Sequence, residues 1–344
     1  MKRIKRWLRI IMPVVAVICT AVFTPWAIVW GWIAPLPAGV RQQVDEGISR
    51  GLDGIIVYVD QAGKPPAFYA AGWKNKEQKI PADPHALFKI ASISKLYIAV
   101  AASKLVSSNQ LSLDDTLARL LPAVAGRIEN SDKISLRILL QHRSGIPDWI
   151  EDPEFPWTRS LTDVNEVLEL VLDDPAVFKP GLRYDYSNTN YLLIGKILDK
   201  ILGYSHQEYI KKEILTPLGL NHTFGLLRDV DARQVVSGYY TEHKGDVKML
   251  DFVSPGGSMV ATAQDVGVFL RALNDGSLLD DKEQAVYSSV YEYGHTGLLP
   301  GYQSIARYHK DIDAVVVQFV NTSGGNTWTV GEVMYNRIVR ILSR

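Results

Sequence analysis

Apolar and polar positions along the chain mark out an apolar lead, strand-like blocks near both ends and a helical middle. No residue from Ile10 to Val40 is charged, and Ile10 to Ile33 is almost wholly apolar. Such a run is long enough to cross a bilayer core as one helix, and its prolines, Pro13 and Pro25, are tolerated in membrane helices. The stretch 34–40 reads as a short stiff linker, and Val40 to Leu52 has the spacing of an amphipathic helix. Gly54–Asp60 and Ala67–Trp73 are strand-like blocks around a Gly-Lys-Pro-Pro turn, which predicts a hairpin. Helical periodicity dominates from the Phe88–Ala99 stretch onward, with segments at Asp163–Leu172, Tyr191–Leu202, His206–Ile214 and Ala263–Asn274, the last capped by Thr262. Gln303–Tyr308 and Ala314–Asn321 are again strand-like, and Thr327–Ser343 repeats apolar residues at helical spacing.

These elements predict an α+β fold. One antiparallel sheet forms from both chain ends, about 41–90 and 290–344, flanked by helices. A mainly helical lobe, about 105–285, is inserted between them, and the whole follows an N-terminal transmembrane helix at 10–33. A cleft between sheet and lobe is the expected consequence.

Composition narrows the function. The chain is 47% hydrophobic and 22% charged, as expected of a globular protein with a sizeable core. Five basic residues fall within 1–9, which leaves 32 basic against 37 acidic residues in the remainder. That acidic balance argues against nucleic acid as a partner. The basic flank predicts a cytoplasmic N-terminus, and Trp26, Trp30 and Trp32 cluster where the outer interface would lie. A cleaved signal peptide is the competing reading, and either one exports the domain. Cys19, the single cysteine, lies in the lead, so the exported part has no disulfide and no thiol nucleophile. The histidines show no metal-ligand spacing, so neither metal nor cofactor is expected.

The candidate chemistry starts at Ser92 and Lys95, three residues apart in Phe88-Lys89-Ile90-Ala91-Ser92-Ile93-Ser94-Lys95-Leu96. On a helix they sit one turn apart on one face, as a nucleophile and its base must. Taken alone the pair is a chance-level spacing. Tyr186-Ser187-Asn188 and His295-Thr296-Gly297 follow in order, with Leu139-Leu140-Gln141-His142-Arg143-Ser144-Gly145 and Pro255-Gly256-Gly257-Ser258 between them. Individually Tyr186–Asn188 reads equally as a helix-capping turn and His295 as a strand histidine. His142, Ser144 and Gly145 read as a turn packed under the site, Asp148 and Asp265 as turn and helix-start residues. Trp149 and Trp157 fall in a loop-rich region that either borders the cleft or packs within it.

Together the ordered segments resemble the penicillin-binding and class C β-lactamase-like serine hydrolases over about Gly54 to Arg340. The resemblance implies that Ser92 is acylated, that Lys95 takes its proton, and that Tyr186, with a pKa lowered by the neighbouring amine, relays a proton to the leaving group. It further implies that Asn188 orients Lys95 and binds the acyl-side amide, and that the N–H groups of Ser92 and Leu298 form the oxyanion hole. His295, Thr296 and Gly297 would line the substrate, with Gly297 small so that substrate can lie along the strand edge. Many lactamases of the family carry lysine where His295 stands. The His-Thr-Gly version is similar to that of some D-alanyl-D-alanine carboxypeptidases, D-amino-acid peptidases and esterases. The implied protein is a single-pass protein of a bacterial cell membrane, its catalytic domain facing the periplasm or exterior. Its expected substrate is a small D-alanyl peptide or an ester. Weak β-lactamase activity, or a penicillin- or peptide-binding sensor that barely turns over, is the alternative, and oligomeric state is left open.

Overall fold

The structure, a computed structural model, describes residues 2–24, 26–153, 155, 157 and 159–344. Its centre is a six-stranded antiparallel sheet assembled from both chain ends, as the sequence predicts. Strands β1 (Gly54–Gln61), β2 (Ala67–Asn75), β3 (Ile80–Pro81), β4 (His295–Leu299), β5 (Tyr302–His309) and β6 (Ala314–Val320) lie in the order β3-β2-β1-β6-β5-β4. β1 pairs with β6 along its length, Ile55 opposite Val320 and Gln61 opposite Ala314.

Both faces of the sheet are covered, which is why β1 and β6 are apolar at nearly every position instead of alternating. Ile55, Val57 and Val59 pack with Val44, Val333 and Met334, while Ile56, Tyr58 and Phe319 face the larger core that holds Tyr97 and Phe269. The first face is covered by the amphipathic helix Val40–Ser49 and the C-terminal helix Thr327–Leu342, and the second by helices Ser94–Ser107 and Ala263–Asp275. Helix 263–275 was expected in the inserted lobe; it packs instead on β1, β6 and β5. Thr262 caps it as expected, its hydroxyl accepting from the Asp265 N–H. Sequence periodicity missed the helix Asp281–Ser288, which has a low apolar content and is started by an Asp280/Glu283 capping box.

The apolar lead differs from the single span expected at 10–33. It forms two helices, Lys2–Phe23 and Trp26–Ile33, and among the described residues no helix is long and apolar enough to cross a membrane. The break has a local cause: a proline at 25 cannot donate to the helix ladder and disfavours helical backbone at Thr24. Nor is the linker free. Arg337, 2% exposed, donates to the carbonyls of Gly31, Ala34 and Pro35 and to Gln43 Oε1, holding 31–35 against the C-terminal helix.

Candidate active site

The site begins with a backbone kink. Ala91, immediately before Ser92, has φ +51°, a left-handed conformation that a residue with a Cβ adopts only under constraint. A 3₁₀ turn, Ala91–Ile93, then feeds the helix Ser94–Ser107, so Ser92 stands at the head of a buried helix facing β4. The turn is fixed by Ser304 Oγ, which donates to the Ile90 carbonyl at 2.9 Å.

Lys95 is wholly buried and donates to Ser92 Oγ at 3.1 Å, Asn188 Oδ1 at 2.8 Å and the Gly256 carbonyl at 2.9 Å. Burial lowers its pKa to about 7, against an opposing pull from Asp148. Three acceptors hold the amine in place, and burial keeps a large share of it unprotonated at neutral pH. A lysine in that state can accept the serine proton.

Asn188 is the first residue of helix Asn188–Leu202. Its amide bridges two charged groups, accepting from Lys95 and donating to Asp148 Oδ2 at 2.9 Å. Asp148, read from sequence as a turn residue, does cap the short helix Trp149–Glu151, but it is also buried and holds the residue that orients the base. Gly256 was likewise missed as a functional position. A Cβ there would lie 3.1 Å from Lys95 Nζ and 2.9 Å from Tyr191 Cβ, so only glycine lets the amine reach the carbonyl.

Tyr186 lies over the amine, with Lys95 Nζ 4.9 Å from its ring centre. Its hydroxyl is buried without a hydrogen bond of normal geometry, and Ser92 is the side chain that faces it. The expectation of a lowered pKa is overturned. Burial raises it, outweighing the Ser92 contact, with Asp148, Tyr184 and Glu292 adding to the rise. The buried phenol therefore keeps its proton, so Tyr186 is a proton donor in the free site. His142 forms the floor, as expected. Its ring stacks between Tyr186 and Tyr191, and Nδ1 accepts from the Ser187 N–H at 3.2 Å. Burial holds its pKa down to about 3.

His295, Thr296, Gly297 and Leu298 lie on β4 and, with Ser92, Tyr186 and Asn188, line one cavity of about 610 Å³. His295 is also neutral, its pKa lowered to about 4 by burial first and Lys95 second; Nδ1 donates to the Thr296 carbonyl. Gly297 has a packing reason to be small, in addition to the substrate clearance expected of it. A Cβ would lie 2.5 Å from the Ile90 carbonyl and 2.9 Å from Ala91 Cβ and would strike Ser304 Oγ, so the glycine lets β4 dock on the nucleophile turn. Trp149 and Trp157 both border the cavity, with Tyr184, Tyr240 and Phe252. Among its described lining residues none is Lys, Arg, Asp or Glu.

A serine hydroxyl against a buried, near-neutral lysine, with a phenol facing both in an apolar cavity, is the arrangement of a serine hydrolase. Residues 36–292 match the Beta-lactamase family, and the chain belongs to that family of serine hydrolases. Protein flp of Staphylococcus aureus (strain N315) is 29% identical over 189 residues, covering 53% of this chain and 38% of that protein. The "Putative D-alanyl-D-alanine carboxypeptidase" of Escherichia coli (strain K12) is 29% identical over 226 residues, 61% of this chain and 50% of that protein. The chain thus spans half or less of the length of these curated relatives. The fold is shared with D-amino acid amidase from Ochrobactrum anthropi SV3 complexed with D-phenylalanine, at TM-score 0.78 and 23% identity, over 88% of this chain and 97% of that one. It is shared also with the penicillin binding protein from Bacillus halodurans, at TM-score 0.72 and 21% identity, over 86% and 98%.

Proposed function

We propose that the protein hydrolyses a small uncharged amide or ester through an acyl-Ser92 intermediate. The observation that carries the reading is Lys95 Nζ, 3.1 Å from Ser92 Oγ with a pKa near 7. Ser92 Oγ attacks the substrate carbonyl while Lys95 takes its proton, and the N–H groups of Ser92 and Leu298 receive the developing oxyanion. Tyr186 gives a proton to the departing nitrogen or oxygen and is reprotonated from Lys95. Water then attacks the acyl-serine, losing its proton to the same pair, and Ser92 is released.

The cavity favours one end of the substrate range. A free carboxylate, as in a carboxypeptidase substrate or a penicillin, would find no lysine or arginine among the described lining residues and only a neutral His295. An ester, or a D-alanyl or other D-amino-acyl amide whose nitrogen is acylated, places no such demand, and its apolar part meets Trp149, Trp157 and Phe252. The family names of the similar proteins support hydrolysis of D-configured amides. β-Lactams are expected to acylate slowly.

Membrane attachment through the lead belongs to the same proposal. Met12, Val17, Val22 and Phe23 leave apolar surface exposed on the first helix, and Trp26, Trp30 and Trp32 on the second. A lipid surface would cover it, with the domain on the exterior or periplasmic side. Secretion after cleavage predicts instead that the mature protein floats free of membranes.

One labelling experiment tests the chemistry. A fluorophosphonate should modify Ser92 stoichiometrically, and N-acetyl-D-alaninamide and short-chain esters should turn over faster than D-Ala-D-Ala peptides. An adduct on another residue, or none, would sink the mechanism. A burst of one equivalent followed by arrest on every substrate would make the protein a sensor.

A further inference from the structure

The wall opposite the nucleophile has a cavity behind it. The segment 254–259 separates the active-site cavity from a second one of about 720 Å³: Ser254 and Gly257 line the first, while Pro255, Ser258 and Met259 line the second. Two side chains that line this second cavity are more than nine-tenths buried and leave a polar atom without a protein partner, Ser258 Oγ and His206 Nε2. Buried polar atoms of this kind are rare and call for a partner.

The chemistry of that partner follows from Asp199. Its carboxylate Oδ1 accepts hydrogen bonds from the His206 Nδ1–H at 2.7 Å and from the His206 backbone N–H at 2.6 Å. In the neutral ring this fixes the proton on Nδ1, so Nε2 presents a lone pair and asks for a donor. Ser258 Oγ, the other unpartnered polar atom among the residues that line this cavity, can donate. A primary carboxamide offers both: its N–H₂ to His206 and its carbonyl to Ser258. Ile98, Leu215, Leu220 and Phe224 supply apolar lining for a short tail, and Glu208, Lys211 and Asp229 line the same cavity.

The same segment is bonded to the catalytic residues. Gly256 O accepts from Lys95, Met259 N–H donates to Ser94 Oγ at 3.2 Å, and Met259 O accepts from the Ile90 N–H at 3.1 Å. A ligand that draws Ser258 toward the second cavity therefore loosens the carbonyl that helps hold the lysine as an ammonium.

We propose that the cavity behind Pro255–Met259 is a second ligand site, for a small molecule with a primary carboxamide head and a short apolar tail, and that its occupancy acts on Lys95 through the Gly256 carbonyl. The binding half stands on geometry alone; the effect on turnover rests on the hydrolase reading above.

Hexanamide is a suitable probe, titrated into the full chain in detergent with histidine labelled by ¹⁵N and lysine by ¹³C. The site requires a saturable shift of the His206 Nε2 resonance, weakened about tenfold by Ser258→Ala, the loss of one hydrogen bond, and weaker binding of hexanoate than of hexanamide. The coupling requires the Lys95 titration midpoint to fall on binding, by about fivefold in proton affinity. A shift indifferent to Ser258→Ala, or none, overturns the site, and preference for hexanoate overturns the carboxamide assignment. A Lys95 midpoint that stays or rises overturns the coupling. None of these readouts needs turnover, so they hold whether or not Ser92 is labelled.

Discussion

Replacing Asp148 by asparagine separates the two forces that set the base. Burial drives the Lys95 pKa down and Asp148 pulls it back up, and about 7 is the resultant. At pH 7 that leaves roughly half of the amine neutral, where an unperturbed lysine would have about one molecule in 3000. Asn188 is the spacer between the charges: hydrogen bonds of 2.8 and 2.9 Å on either side of one amide put them roughly 8 Å apart at most. At an effective dielectric of about 20 this attraction is ~2 kcal/mol, or about one and a half pH units. Asp148→Asn keeps the side-chain shape and one of the two acceptor oxygens: Oδ2 accepts from the Asn188 amide at 2.9 Å and Oδ1 from the Ile150 N–H at 3.4 Å, so the single amide oxygen should stay on Asn188 and the longer cap is the bond given up. The assay is the second-order rate of Ser92 labelling by a fluorophosphonate from pH 4.5 to 9. Wild-type protein should lose about tenfold per pH unit below about 7 and be flat above it; the variant should keep the plateau and move the midpoint about one unit or more lower. A wild-type rate still climbing at pH 9 would show that Lys95 is not depressed. A variant midpoint that stays or rises would refute the assignment of Asp148 as the opposing charge.

Gly297→Ala should separate β4 from the nucleophile turn, lowering stability by about 1–3 kcal/mol and Ser92 labelling by more than tenfold, read by denaturant titration and labelling rate. Lys95→Met should abolish labelling and change how stability depends on pH. Between about 7 and 10.5 the unfolded lysine holds a proton that the folded one has lost, so wild-type stability rises with pH relative to the variant, by about 1.4 kcal/mol per unit in urea titrations. Equal slopes would contradict the buried neutral amine. His295 and His142 act in the acid range: unfolded histidine is protonated below about 6.5, but these only below about 4 and 3. Stability should therefore fall as pH drops from 6.5 to 4, and His295→Gln should flatten part of that loss.

The sheet could be read from sequence because its strands obey one rule. β1 and β6 are nearly continuous apolar runs, and the cores on both faces explain why. The site was readable where chemistry depends on residue type at fixed spacing, as with Ser92 and Lys95 on one helical turn or Tyr186 and Asn188 at a helix start. It was unreadable where a backbone atom or a long-range packing contact acts. Nothing local distinguishes the Gly256 carbonyl, and Asp148 satisfies every turn criterion while also holding a residue 40 positions away. The Gly297 requirement comes from the Ile90 carbonyl and Ala91, reached only once β4 docks on the turn. Tyr186 misled for a related reason. The burial that lowers the Lys95 pKa and makes it a base also desolvates the neighbouring phenol and raises its pKa.

That last relation governs the whole site. A buried lysine, a left-handed Ala91 and two histidines held neutral each destabilise the fold, and each removes a charge or fixes an angle at the place where Ser92 reacts. None of the described lining residues is Lys, Arg, Asp or Glu, so on attack Lys95 becomes an ammonium behind Ser92 and the oxyanion is the charge that forms within the cavity. N–H donors aimed at it act in a medium that screens them weakly. The same absence of charge excludes ionic anchoring of the ground state, so substrates must be chosen by the shape of the wall around Trp149, Trp157 and Phe252. Selectivity among uncharged amides and esters should therefore respond to the size of the acyl group, at about 1–3 kcal/mol per methylene-scale misfit, far more than to ionic strength.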